Sequence, residues 1–138
     1  MSNNIEALEK TLPAAPMKLV AMESCKDLGQ KVNDYLVSFR KDTINEITNS
    51  PLYANYKSNS YLVDCSCPRF GSGEAKGILK ETIRGTDLFI MTDVCNYSLT
   101  YSVNGHLNHM SPDDHYQDLK RIISAATGKA HRINVIMP

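Results

Sequence analysis

The strongest constraint on the fold is an alternation between short apolar runs and segments with helical periodicity. Residues 17–22, "MKLVAM", follow Pro16 and are predicted to form a buried strand, as are residues 131–138, "HRINVIMP". Two helical segments and further strands lie between them. Strands that alternate with helices build mainly parallel sheets joined by right-handed crossovers. We therefore predict an α/β, three-layer domain with a mainly parallel sheet and one β-hairpin.

The first helical segment starts after residue 22 and carries apolar residues on one stripe. Ser24, followed three residues later by Asp27, is predicted to cap its first amides. A polar connection at 43–60 then leads to a second strand at 61–65. The stripe, which is predicted to face the core, consists of Leu28, Val32, Tyr35, Leu36 and Phe39.

The second helical segment, residues 111–129, has the clearest start and stop signals. Ser111 is a capping residue, Pro112 suits the first helical position, and Gly128 is a typical terminator. Its predicted core face consists of Tyr116, Leu119, Ile122, Ile123 and Ala126. Asp113, Asp114 and His115 could be read as a metal cluster. Their position in the first turn favours capping and pairing with the helix dipole instead.

The middle of the chain is predicted to contain strands and tight turns. A turn at 84–87 joins strands at 77–82 and 87–93. Asn104 and Gly105 both tolerate positive φ, which is typical of a two-residue hairpin turn. Alternating apolar residues precede that turn and favour a strand there.

Composition and charge restrict the class of protein. With 138 residues, 42% of them hydrophobic and 22% charged, the chain suits one globular domain with one core. Its 15 basic and 15 acidic residues cancel, so we expect neither a nucleic-acid nor a membrane partner. There is no apolar run of the roughly 20 residues that span a membrane. The first residues do not resemble a secretion signal, so a cytoplasmic location is expected.

The cysteines are most simply interpreted as reduced thiols that lie in the core or in loops. They are Cys25, Cys65, Cys67 and Cys95. Cys65 and Cys67 with His106 and His109 would supply four zinc ligands. A C-x-C spacing is atypical of structural zinc sites, however, and this disfavours the alternative.

One turn is unusual in its residue types. The stretch from Arg69 to Gly85, "RFGSGEAKGILKETIRG", brings an aromatic ring, small residues and a carboxylate together before a strand. A core strand needs none of them. Phe70 is therefore either a packing anchor beside a glycine turn or part of a turn shaped to hold a ligand.

This stretch, extended to Ile90, resembles ribose-phosphate pyrophosphokinase (phosphoribosyl-diphosphate synthetase). That family carries a Phe-x-Asn/Asp-x-Glu turn, a strand with a downstream Glu, and then Val/Ile-Arg-Gly-x-Asp-x-Phe/Tyr-Ile. The matching positions are Phe70, Ser72, Glu74, Glu81, Ile83, Arg84, Gly85, Asp87, Phe89 and Ile90. A second block, "DDHYQDLKRIISAATGKAHRINVIMP", resembles the family's acidic-capped helix and the strand after it. The resemblance runs from about Lys18 to Pro138.

The resemblance implies a phosphoribosyltransferase-like fold over residues 17–138, preceded by an extension at 1–16. It implies transfer of diphosphate from ATP to ribose 5-phosphate, with Mg²⁺, in a homo-oligomer, for nucleotide biosynthesis. In the family this turn binds adenine from a neighbouring subunit. Carried over, Phe70 would stack on the base, while Ser72 and Glu74 would reach its polar edge.

Several departures from the family qualify this expectation. Ser72 replaces Asn or Asp, and segments 43–60 and 96–110 are longer than usual. The family's catalytic and metal-binding residues follow the segment matched here. The resemblance thus implies an N-terminal fragment, truncated after its last strand, that is inactive alone, with no catalytic residue or metal ligand on it. We expect its exposed apolar surface to cause self-association. The alternatives are a non-catalytic regulatory or assembly subunit and a stand-alone nucleotide-binding module.

Overall fold

A computed structural model describes residues 14–44 and 58–138 of the chain. The predicted extension at 1–16 and the connection at 43–60 lie largely outside the described residues. The helices are α1 (Lys26–Ile44), preceded by a single 3-10 turn at Glu23–Cys25, and α2 (Pro112–Ala126). The strands are β1 (Met17–Ala21), β2 (Cys65–Ser66), β3 (Ile78–Leu79), β4 (Asp87–Met91), β5 (Thr100–Val103), β6 (His106–His109) and β7 (Arg132–Ile136).

The central sheet has three parallel strands in the order β1-β4-β7. Met17 lies opposite Asp87, and Asp87 lies opposite Arg132, so all three strands start at the same level. This confirms the predicted α/β class with a mainly parallel sheet. Two antiparallel pairs, β2-β3 and β5-β6, lie outside that sheet.

The predicted second strand at 61–65 is only partly observed. Leu62 forms a single parallel bridge with Leu19, in which the Leu19 amide donates to the Tyr61 carbonyl and the Val63 amide donates to the Leu19 carbonyl, both at 2.8 Å. The chain then leaves β1 and pairs Cys65–Ser66 with β3. The predicted strand at 77–82 is correspondingly reduced to Ile78–Leu79.

Side-chain alternation along the strands separates two clusters, one on each face of the sheet. Val20, Leu88 and Ile90 are fully buried on the face that α2 covers. Leu19 and Met91 are buried on the other face, among residues of α1. Because one helix covers each face, the domain has the predicted three layers.

The predicted core stripe of α1 is wrong at three of its five positions. Leu28, Tyr35 and Phe39 are exposed by 41%, 70% and 53%, whereas Val32 and Leu36 are half-buried against the sheet. The helix turns a neighbouring face inward because Gly29 meets Ala21 of β1 so closely that an added Cβ would overlap the alanine methyl group. Asn33 is buried on that face and accepts a hydrogen bond from the Tyr61 amide at 2.8 Å.

The predicted capping role of Ser24 is also wrong. The residue before the 3-10 turn is Met22, which makes no side-chain cap. The Ser24 hydroxyl instead accepts a hydrogen bond from the Asp93 amide at 3.0 Å and lies 3.4 Å from the Thr92 hydroxyl. It therefore links the 3-10 turn that follows β1 to the residues that follow β4.

The predicted start of α2 is confirmed. Ser111 accepts from the Asp114 amide at 3.2 Å, and the Asp114 carboxylate accepts from the Ser111 amide at 2.9 Å, which is a reciprocal capping box. Leu119, Ile122 and Ala126 are buried in the core, as predicted, and Ile123 packs against the same core cluster. Tyr116 is exposed by 50%, contrary to the prediction, and His115 and Asp118 are buried instead.

The predicted hairpin turn is confirmed. Asn104 and Gly105 have φ of 51° and 80° and connect the antiparallel strands β5 and β6. Among the described residues, no helix has the length and apolar character needed to cross a membrane.

Candidate functional site

The unusual turn is a closed loop. An antiparallel bridge between Arg69 and Ala75 joins its two ends. The Phe70 amide donates to the Glu74 carbonyl at 2.7 Å, and the Gly73 amide donates to the Phe70 carbonyl at 2.9 Å. Gly73 has φ of +90°, a backbone region that side chains disfavour. Backbone hydrogen bonds therefore define the shape of this segment, the 70–74 loop, without using its side chains.

All three predicted ligand-binding side chains lie at the surface on this loop. Phe70 is exposed by 52%, and Ser72 and Glu74 are also exposed. The ring of Phe70 is thus not a packing anchor of the hydrophobic core. The loop leaves an aromatic ring, a hydroxyl and a carboxylate, all within five residues, free to contact another molecule.

The base of the loop is anchored by a buried ion pair that the sequence analysis missed. The Arg69 guanidinium donates to both carboxylate oxygens of Asp118, at 2.7 and 2.9 Å. The two side chains are only 8% and 6% exposed. Arg121 donates to the same carboxylate at 2.7 Å. Paired geometry of this kind offsets the cost of desolvating the charges. No sequence signal marks this pair, because its members are 49 residues apart.

The β5-β6 hairpin contacts the loop at two points. The ring of Tyr101 lies over the Arg69 guanidinium, with 4.6 Å from Cζ to the ring centroid. The Asn104 side-chain amide donates to the Gly71 carbonyl at 3.0 Å. The hairpin lies outside the loop motif in the sequence, so neither contact follows from the motif itself.

A cavity of about 360 Å³ lies behind the loop, between β2, the 3-10 turn that precedes α1, α2 and the hairpin. Its lining includes Ser24, Cys65, Cys67, Arg69, Tyr101 and His115. His115 is buried, and its Nε2 lies 2.6 Å from the Asn96 carbonyl. Burial raises the pKa of the Cys65 thiol to about 11 and that of Cys67 to about 12. Both are therefore protonated near neutral pH and are poor nucleophiles.

The zinc alternative finds no support in the arrangement of its residues. Across residues 14–44 and 58–138, no three or more His, Cys, Asp or Glu side chains are grouped so that they could hold a metal ion. Cys67 lies 3.9 Å from the Asp118 carbonyl, and His109 stacks on Tyr97 with 5.1 Å between ring centroids.

The acidic start of α2 serves the helix cap, as the sequence predicts. Burial alone would raise the pKa of Asp114, but hydrogen bonds from Ser111 and the nearby charge of Arg69 outweigh it, so the pKa is lowered. The cap thus carries a charged carboxylate at neutral pH, and it begins the helix that presents Asp118 to the loop.

A comparison with protein-family models gives a match over most of the chain. The family model described as the N-terminal domain of ribose phosphate pyrophosphokinase matches residues 17–138. No curated protein matches the chain. The family match takes in the 70–74 loop, both helices and every strand from β1 to β7. The chain therefore belongs to the family of the N-terminal domain of ribose phosphate pyrophosphokinase.

Proposed function

We propose that the protein is a ribose-phosphate pyrophosphokinase, which transfers diphosphate from ATP to the anomeric hydroxyl of ribose 5-phosphate. The product, phosphoribosyl diphosphate, serves nucleotide biosynthesis in the cytoplasm. In this proposal the 70–74 loop binds the adenine of ATP held by a neighbouring subunit of a homo-oligomer. The observation that carries the proposal is the exposed ring of Phe70 on a loop whose backbone is closed by two hydrogen bonds.

The chemistry of the loop suits a purine. Phe70 offers a π-face, and stacking of a base on an aromatic side chain contributes about 1–3 kcal/mol. The carboxylate of Glu74 accepts from an exocyclic amino group, and the hydroxyl of Ser72 can donate or accept. The ion pair of Arg69 with Asp118 fixes the base of the loop, which reduces the entropy lost when a ligand binds.

Mg²⁺ and ATP enter the proposal through the family. In this proposal the chain supplies no metal ligand and no catalytic residue, because the resemblance gives only adenine-binding roles to its residues. Their contribution is to bind and orient the nucleotide, which accelerates a reaction by positioning its reactants.

The test is an assay of the full-length protein with ATP, ribose 5-phosphate and Mg²⁺. We expect phosphoribosyl diphosphate to form, and we expect Phe70→Ala to raise the KM for ATP roughly tenfold through lost stacking. The KM for ribose 5-phosphate should change little. Tyr97→Ala is the matched control, because Tyr97 is an aromatic residue 65% exposed outside the loop. A normal KM for ATP in Phe70→Ala would exclude adenine stacking on this ring.

A non-catalytic regulatory or assembly subunit is the second candidate, favoured by Ser72 in place of Asn or Asp. The shorter hydroxyl side chain has less reach toward an adenine edge. In this case the full-length protein, assayed alone, would form no product, but it would change the activity or assembly state of a catalytic family member mixed with it. Product formation by the protein alone would exclude this candidate.

A further inference from the structure

The 70–74 loop is supported from outside its own motif. Its backbone hydrogen bonds close the turn, but they do not fix where the turn points relative to the sheet. Two contacts from the hairpin do so: Tyr101 covers the Arg69 guanidinium at the base, and Asn104 donates to the Gly71 carbonyl at the tip.

We propose that Asn104 and Tyr101 are positioning residues for purine binding, holding the 70–74 loop in the orientation that presents Phe70. This rests on the proposed function only for the identity of the ligand. Holding the loop in place is a property of the chain itself and can be measured without a nucleotide.

Local geometry makes Asn104 suited to this role. It lies at the turn of the hairpin with φ of 51°, a conformation that Asn adopts at lower cost than most residues. A Cβ at position 71 would lie 3.4 Å from the Asn104 Oδ1, an ordinary van der Waals contact, so the side-chain amide packs directly against the backbone of the loop.

Tyr101 contacts the base of the loop, at Arg69, and not the loop itself. Its ring covers a guanidinium that is already committed to Asp118, so it shields the ion pair from water on the hairpin side. A less hydrated ion pair is electrostatically stronger. The ring matters here and the hydroxyl does not, which separates two substitutions: Tyr101→Phe keeps the face over Arg69, and Tyr101→Leu removes it.

The decisive variant is Asn104→Asp, with Asn108→Asp as its matched control. Both replace an amide with a carboxylate on the same hairpin, so their charge change is equal. Only Asn104 contacts the loop, whereas Asn108 donates to the His106 carbonyl within the hairpin. Asp also tolerates the backbone conformation at position 104, so the turn is preserved. Thermal unfolding of both variants should stay close to that of the unsubstituted protein.

Two measurements on the full-length protein test the proposal. The first is hydrogen exchange at the Phe70 and Gly73 amides without nucleotide, which we expect to be about threefold to tenfold faster in Asn104→Asp through loss of one hydrogen bond. The second is the Kd for ATP by calorimetry, which we expect to rise by a similar factor of about three to ten. Asn108→Asp and Tyr101→Phe should leave the exchange rates and the Kd for ATP unchanged, and Tyr101→Leu should raise the exchange rates and the Kd.

The outcomes separate this inference from the proposed function. Equal exchange rates in Asn104→Asp and Asn108→Asp would overturn the inference that Asn104 positions the loop, whatever happens to ATP binding. Faster exchange in Asn104→Asp with an unchanged Kd for ATP would overturn the link between loop position and purine binding. Faster exchange in a protein that binds no ATP in any form would uphold the positioning of the loop while the proposed function fails.

Discussion

Arg69 and Asp118 form a bidentate ion pair, with donor–acceptor distances of 2.7 and 2.9 Å, that joins the base of the 70–74 loop to helix α2. The loop motif and the helix come from separate parts of the chain, and this pair connects them. The orientation of the candidate binding loop therefore depends on a contact that lies inside the domain, below the residues that would touch a ligand.

Removing one partner of that ion pair should be strongly destabilising. Asp118→Ala leaves the Arg69 charge buried without its carboxylate, and we expect the free energy of unfolding to fall by about 3–5 kcal/mol, measured by chemical denaturation. Asp64→Ala is the control, because Asp64 and Lys80 form an ion pair of similar length at the surface. Water screens the charges there, so loss of this pair should change the free energy of unfolding little. Similar losses in the two variants would contradict this prediction.

Gly29 should be intolerant of even the smallest side chain. In a helix that packed loosely, Gly29→Ala would stabilise by about 1 kcal/mol through helix propensity. Because a Cβ at position 29 would overlap Ala21, we expect destabilisation by about 1–3 kcal/mol in thermal or chemical unfolding. The compensating double variant Ala21→Gly/Gly29→Ala should recover part of the loss. A more stable Gly29→Ala protein would mean that α1 does not approach β1 this closely.

The capping box of α2 should contribute a pH-dependent part of the stability. The folded-state pKa of Asp114 is lowered, so its contribution is present above the unfolded pKa of about 4 and is lost as the pH falls through the folded pKa. We expect Asp114→Ala to cost about 1 kcal/mol at pH 7 and less at pH 3. Asp113→Ala, in the same turn but outside the capping box, is the comparison. A cost for Asp114→Ala that does not vary between these pH values would argue against a charged cap.

Glu74 should determine which purine is preferred. A carboxylate accepts from the amino group of adenine, whereas the hypoxanthine of ITP carries a carbonyl oxygen at that position. Under the proposed function, Glu74→Gln should narrow the preference for ATP over ITP, measured as the ratio of their Kd values. Glu81→Gln provides the control, since Glu81 is an exposed carboxylate outside the loop that pairs with Lys18 at 3.2 Å. An unchanged ratio of the Kd values in Glu74→Gln would mean that Glu74 does not contact the amino group of the base.

The features that the sequence predicted correctly are local or periodic. The capping box at Ser111 and Asp114 spans four residues, and the turn at Asn104 and Gly105 depends on the φ preferences of two. The alternation of apolar runs and helices predicted the parallel sheet, because strands and helices must bury their apolar faces against one another. The residues alone leave open whether Phe70 is a packing anchor or part of a ligand-binding turn, and it is the structure that shows its ring exposed on a loop closed by backbone hydrogen bonds.

The sequence by itself thus determined the α/β class, the start of α2, the turn of the hairpin and the family to which the chain belongs. Only the tertiary structure decided which face of α1 lies on the sheet and what holds the loop in place. The apolar stripe of Tyr35 and Phe39 predicts a buried face, yet the close approach of Gly29 to Ala21 turns another face inward. The physical reason is that amphipathic periodicity carries information about neighbouring residues, whereas close packing and buried ion pairs depend on groups far apart along the chain.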